Sequence, residues 1–475
     1  MAHHWPKSSY GGSWEKRSQV ASTPAPPLGP LLSTIEQKDL LAESAKYTES
    51  ARITDCEYVA SFNWRNSRRP SIFVPGNPPR WTPMSGTQRF PRDSGSFPLD
   101  RNGYHSPKHP FEATALSILH AKPEPPEIDF DFVCASASLG YLISFCLGGN
   151  EFRPFRALVE VVGGAVHLFR RDNSPAELIP DVQGYGHTFP DAYTSWDSGT
   201  AGSTSHQRVI RYALGGLNIL LRGEIDGYLP WSAPARAPKA KVASVDELVA
   251  GLDMSNLSPR TTTDTETSAI AVRTAGSAPV PQSSLFDLKT RSVSRKGDDI
   301  LTQQLPRLWR SQIPNFILAF HERGVFDDIT VRNVRDRIVA WERENAETIA
   351  VLIALLRRLA DIVSTSEGGK VELTATVEGR IEVREQLPDA GEVLSSNVRA
   401  RWGAWLEQAR GVPEKGGSSV AVTPATDSTD SDVEADAFSE RIRVHNSAWD
   451  SEPESEKDYT ACGASSCGYC GECGY

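Results

Sequence analysis

The chain has 475 residues, a formal net charge of -10, 33 Pro, 36 Gly and a mean hydropathy of -0.37, which predicts one sizeable core with unpacked additions. It has no run of about 18 apolar residues and its first twenty are polar, so neither a membrane span nor a secretion leader is expected, and the predicted location is intracellular, nuclear or cytoplasmic. Of 7 Cys, four lie in the last fourteen residues, which excludes a disulfide-stapled fold.

The acidity is local. Residues 427–458 hold 11 acidic and 3 basic side chains, a net of -8, leaving -2 for everything else. A near-neutral core can still present a basic patch to nucleic acid, while the acidic segment suits a protein partner.

In chain order, residues 1–55 are rich in Ser, Pro and Lys and are expected to be disordered, with one short helical pattern from Leu31 to Ser50. Glu57–Trp64 and Ser71–Val74 read as strands, followed by a proline-rich loop carrying Arg80 and Trp81. Pro110–His120 reads as a helix and Ile128–Val133 as a strand. Phe155–Arg170 reads as a hairpin turning at Gly163-Gly164, with Glu160 on its first strand. His187 and His206 are the histidines nearest the strands discussed next. Ala233–Ser283 is a Ser/Thr/Pro-rich insertion expected to loop out. Leu305–Glu322 has helical periodicity, Phe326–Val334 reads as a strand, and Val334–Thr365 as the longest helix. Lys370–Glu385 alternates like a hairpin and Val398–Trp405 closes the core as a short helix, before the acidic tail of 411–460.

Two stretches organise this core, Leu220–Gly227 and Ser284–Arg291. Strand alternation puts Glu224 and Asp226 on one face of the first and Asp287 and Lys289 on one face of the second. Three carboxylates brought together repel one another unless a divalent cation sits among them, and oxygen donors suit Mg²⁺ or Mn²⁺. Glu224, Asp226, Asp287 and the Leu288 carbonyl are the candidate metal ligands. Asp226, Asp287 and Lys289 are the candidate catalytic groups, with Lys289 orienting a water or steadying an oxyanion. Arg208, Arg222, Gln312 and His187 are candidates to hold substrate, since Arg forks match phosphate oxygens. Cys462, Cys467, Cys470 and Cys473, interleaved with Gly, form a terminal knuckle at 461–475 that could wrap one Zn²⁺ or hold an iron-sulfur cluster.

Glu-Ile-Asp followed by Asp-Leu-Lys-Thr resembles the D…(D/E)-x-K signature of PD-(D/E)XK nucleases. Within them it is most similar to the eukaryotic RNA decapping and 5′-end quality-control nucleases. Arg307-Leu308-Trp309-Arg310-Ser311-Gln312 resembles that family's helix after the lysine strand, and Gly184-Tyr185-Gly186-His187-Thr188-Phe189 its Gly-Tyr-x-Phe-Glu helix start. Where the family has a metal-binding Glu, this chain has Pro190 and then Asp191. The resemblance covers roughly residues 180–335. It implies a restriction-endonuclease-like α/β (α+β) core, a mixed sheet flanked by helices over 56–410, and metal-activated hydrolysis at RNA 5′ ends. The alternative is a catalytically weakened RNA- or protein-binding scaffold. The chain is also similar to uncharacterised fungal proteins, some labelled geranylgeranyl pyrophosphate synthetase, but it has no Asp-Asp-x-x-Asp motif for that chemistry.

Overall fold

The computed structural model describes residues 23–124, 129–180, 182–230, 268–276 and 278–410. Their architecture is mixed α+β, with large mixed sheets flanked by helices. An eleven-stranded sheet has at its centre Phe132–Ala135, Leu217–Glu224, Ser203–Leu214 and Ile53–Arg65 as successive neighbours. A seven-stranded sheet is built around Gly227–Tyr228, Leu285–Ser292, Asn315–Glu322 and Val325–Asn333.

Alternation decides which face each strand gives to which core. On Leu217–Glu224, Ile219 and Leu221 enter one apolar cluster while Leu220 enters another on the opposite face. The first cluster is capped by Ser136–Leu147 and by Ala346–Thr365, whose Ile349, Leu352, Leu356 and Leu359 recur at helical spacing and are buried. The second is covered by Glu112–Ala121 and by Ser396–Arg410, which inserts Trp402 and Trp405. Trp402 Nε1 donates to His167 Nε2 at 2.9 Å, so its one polar group is satisfied where water cannot reach. Sheets on this scale exclude the all-helical bundle that prenyl transfer requires. No described helix is long and apolar enough to cross a membrane.

Several expectations change. Residues 31–50, placed outside the core by composition, include the strand Leu31–Glu36, paired with Arg380–Glu385, and the helix Gln37–Ser44. In the insertion, Ala271–Thr274 forms a strand parallel to Ser71–Val74. The helix expected over Leu305–Glu322 is two elements, Ile300–Ser311 and the strand Asn315–Glu322. Pro314 cannot donate in a continuing helix, and Gln312 adopts a left-handed φ of 51° that ends the first. Likewise the long helix breaks at Asn345 into Arg335–Glu344 and Ala346–Thr365.

Candidate active site

The two acidic stretches meet because one chain segment passes from sheet to sheet. Leu217–Glu224 ends in the large sheet, Ile225 and Asp226 cross over, and Gly227–Tyr228 pairs antiparallel with Leu285–Ser292 in the small one. Gly227 is required there: a Cβ would lie 2.2 Å from the Phe286 ring and 2.8 Å from the Pro79 carbonyl oxygen.

This pairing sets Asp226 beside the Asp-Leu-Lys segment, where its Oδ2 accepts the Leu288 N–H at 2.8 Å. On the same strand, alternation sends Phe286 and Leu288 into an apolar cluster with Ile317 and Phe326, and turns Asp287 and Lys289 to the opposite face. Lys289 Nζ lies 3.3 Å from Asp287 Oδ1, and Arg307 Nη2, from the helix Ile300–Ser311, lies 3.0 Å from Asp287 Oδ2. Asp287 has no solvent exposure and Lys289 only 4 %. Burial, and then the Asp287 charge, raise the Asp226 carboxyl above the usual carboxylate range, opposed by Arg307 and Lys289. Burial, and then Arg307, lower the Lys289 ammonium.

Asp226, Leu288, Lys289 and Arg307 border a cleft of about 530 Å³. Glu224 lines it too, 3.5 Å from Arg101 Nη1 and accepting from Gln207 Nε2 at 3.3 Å. Arg222 lines the wall and donates through Nη1 to Gln207 Oε1 at 2.9 Å. His187 and Asp191 come from the turn and short helix Thr188–Tyr193, so the segment resembling the family's Gly-Tyr motif does face this cleft. The His187 ring stacks on Phe97 at 3.5 Å and its Nδ1 is 3.4 Å from Arg101 Nη2. Burial, then Arg101, hold the imidazole down to about 4, so it is neutral at pH 7. Asp191 is shifted upward by burial, against the pull of Arg101.

Two expected substrate residues lie elsewhere. Arg208 turns inward: its Nε donates to Gln282 Oε1 at 2.8 Å, its Nη2 to the Val280 carbonyl at 2.9 Å, and its guanidinium lies over the Tyr58 ring. Gln312 caps its helix, with Nε2 donating to the Trp309 carbonyl at 2.7 Å, and does not line the cleft. Glu160, on the first strand of the Gly163-Gly164 hairpin, lies away from the cleft. It is buried in the large sheet against Arg399 and Lys370, and accepts the Val393 N–H at 3.3 Å. Trp81 packs into the core beside Phe286 and Tyr193. Cys462, Cys467, Cys470 and Cys473 lie outside the described residues.

Sequence reasoning missed Arg101, Arg170 and Arg307 as cleft residues. Only Arg307 carried a signal, sitting in the segment that resembles the helix after the lysine strand.

The donor chemistry fits a hard divalent cation. Neither Asp287 oxygen has a hydrogen-bond partner although the residue is wholly buried, and Mg²⁺ is commonly held by one or two carboxylates plus substrate phosphate. Among the described residues no three His, Cys, Asp or Glu side chains gather into a ready metal group, so Glu224 is not beside the Asp pair as a preformed third ligand.

Several solved structures are similar to this chain. They include Scheffersomyces stipitis Rai1 in complex with (3′-NADP)+ and calcium ion (TM-score 0.48, 11 % identity, covering 80 % of this chain and 99 % of that one). Candida albicans Rai1 in complex with pU5-Mn2+ gives a TM-score of 0.47 at 12 % identity, over 74 % and 96 % of the two chains. K. lactis Dxo1 in complex with manganese gives 0.39 at 10 %, over 77 % and 96 %. No curated protein sequence matches. A family model matches residues 33–384, and the chain belongs to that family, described as a domain of unknown function (DUF8563).

Proposed function

We propose that this protein is a metal-dependent phosphodiester or pyrophosphate hydrolase acting at RNA 5′ ends. The observation that carries the reading is the convergence of Asp226 and Lys289, with Asp287 buried against Lys289, at the edge of a cleft also lined by Arg101, Arg170, Arg222 and Arg307. The cleft has room for a terminal nucleotide, and its guanidinium groups match phosphate oxygens.

Asp226 and Asp287, with the Leu288 carbonyl, would hold Mg²⁺ or Mn²⁺. When bound, the ion supplies charge against the phosphoryl oxygens and acidifies a water. This chain's own groups do the rest. Lys289, its charge destabilised by burial, directs its N–H donors at the attacking water or the developing oxyanion. Arg222 and Arg101 hold the 5′ phosphate in line with that water, so that its oxygen bonds to phosphorus as the bond to the leaving oxygen breaks. His187, neutral and stacked on Phe97, borders the same wall; its Nδ1 accepts from Arg101, so its Nε2–H is the nitrogen that can donate to a ribose or base.

A second reading, an RNA- or protein-binding scaffold with weakened turnover, is favoured by Pro190 standing where the resemblance expects an acidic ligand. The two readings separate when the full chain is incubated with Mn²⁺ and end-labelled RNA bearing a cap, a 5′-triphosphate, a 5′-monophosphate or a 5′-hydroxyl. Product specific to one phosphorylated end establishes the hydrolase and names its substrate. Retention of phosphorylated RNA without any product selects the scaffold.

A further inference from the structure

Asp287 is the least accessible of the acidic groups at this site. It has no exposed surface and does not itself line the cleft, whereas both cations that touch it, Lys289 and Arg307, do. A fully buried carboxylate that also raises the pKa of half-buried Asp226 is tolerated only with nearby positive charge. Here that charge comes from the protein. Neither Asp287 oxygen has a hydrogen bond, so the Arg307 contact at 3.0 Å is a charge contact without good donor geometry.

A divalent ion drawn to Asp287 would meet Lys289 beside Oδ1 and Arg307 beside Oδ2, and like charges at that range repel strongly. Lys289 rises from the same strand face two residues from Asp287, and its side chain is only 5 % exposed against 11 % for Arg307. Arg307 reaches in from a separate helix on a flexible stem and already borders the cleft. We infer that Arg307 is a resident counter-cation that competes with the divalent metal for Asp287, and that metal binding displaces its guanidinium toward the cleft. There the phosphate of a bound RNA end offers it a new bidentate partner. Metal and phosphate therefore bind cooperatively. The inference rests on Asp226 and Asp287 being metal ligands.

The test is Mn²⁺ binding to the full chain, followed by the loss of the free-ion electron paramagnetic resonance signal, for the wild type, Arg307→Gln and Arg307→Lys, each with and without Asp287→Asn. Arg307→Gln is expected to bind Mn²⁺ at least 10-fold tighter than the wild type, Arg307→Lys about threefold tighter, and Asp287→Asn to cancel both gains. Should the Gln variant fail to fold, the Lys variant decides alone. Wild-type and Arg307 variants binding Mn²⁺ equally well, in an Asp287-dependent way, would overturn the competition and leave the active-site reading standing. Absence of Asp287-dependent binding in every variant would overturn both.

Discussion

Asp226 accepts the main-chain N–H of Leu288 at 2.8 Å, so the acid at the end of one strand is tied to the backbone between Asp287 and Lys289 on the other. The bond fixes the spacing of the candidate catalytic groups and satisfies a partly buried donor. Asp226→Ala leaves that N–H without a partner, at a cost of about 1–3 kcal/mol. Asp226→Asn retains an accepting oxygen and removes a half-buried charge. Denaturant unfolding should therefore find the Asn variant more stable than the Ala variant, with both equally inactive. An Ala variant as stable as the Asn variant would mean that the bond contributes nothing.

Replacing Lys289 is expected to separate chemistry from binding. Its ammonium approaches Asp287 and borders the cleft without closing it. Lys289→Met should lower the rate of RNA hydrolysis about 100-fold or more, the scale of losing one oriented donor to a developing oxyanion. RNA affinity should change only a few-fold. A rate loss matched by an equal loss of affinity would make Lys289 a substrate ligand instead.

Arg101 contacts His187, Glu224 and the Thr204 carbonyl, and Arg222 contacts Gln207, which places two guanidinium groups on one wall of the cleft. Each should meet a single phosphate. Arg101→Ala is expected to weaken binding of 5′-phosphorylated RNA roughly 10-fold and to lower the slope of log affinity against log salt by about 1. Binding of 5′-hydroxyl RNA should change little. The fluorescence anisotropy of labelled RNA at several salt concentrations checks both effects.

Burial of His167 is expected to make the fold acid-sensitive. Its Nε2 accepts from Trp402, its Nδ1 donates to the Ala165 carbonyl, and burial depresses its pKa from 6.5 to about 3. Between those two values the unfolded chain binds the proton that the folded one refuses. Stability from this group is complete above pH 6.5 and is lost as pH falls, by about 2 kcal/mol between pH 7 and pH 5. His167→Gln, which can keep both hydrogen bonds, should flatten that part of the stability profile. An unchanged profile would assign the acid sensitivity to other groups, His206 among them, since burial also depresses it.

Much of this was legible in the sequence where local patterning decides structure. Ser71–Val74 and the hairpin through Gly163 and Gly164 follow from alternation and turn chemistry. Glu-Ile-Asp and Asp-Leu-Lys could be read as facing acids because a strand gives alternate residues to one face. What alternation cannot show is which distant group answers a side chain. Arg208 looked like a phosphate ligand, but it turns to the Val280 carbonyl, 72 residues away. Arg307 was legible only as part of a helix resembling the one after the lysine strand, and it is the packing of that helix that brings the guanidinium to Asp287. Ala271–Thr274 lies in a Ser/Thr-rich stretch and becomes a strand only because Ser71–Val74 offers an open edge. Pro314 did announce a break, but the apolar spacing on either side continued the helical pattern across it.

The central claim is that Asp226 and Asp287 act together in metal-dependent hydrolysis. Its most direct measurement is the Mn²⁺-dependent release of product from 5′-triphosphate, capped and monophosphate RNA by the full chain, wild type against Asp226→Ala with Asp287→Ala. Product from at least one of these RNAs, abolished by the double substitution and by chelation of the metal, is the predicted result. No product from any of them, or product that survives the loss of both carboxylates, would contradict it.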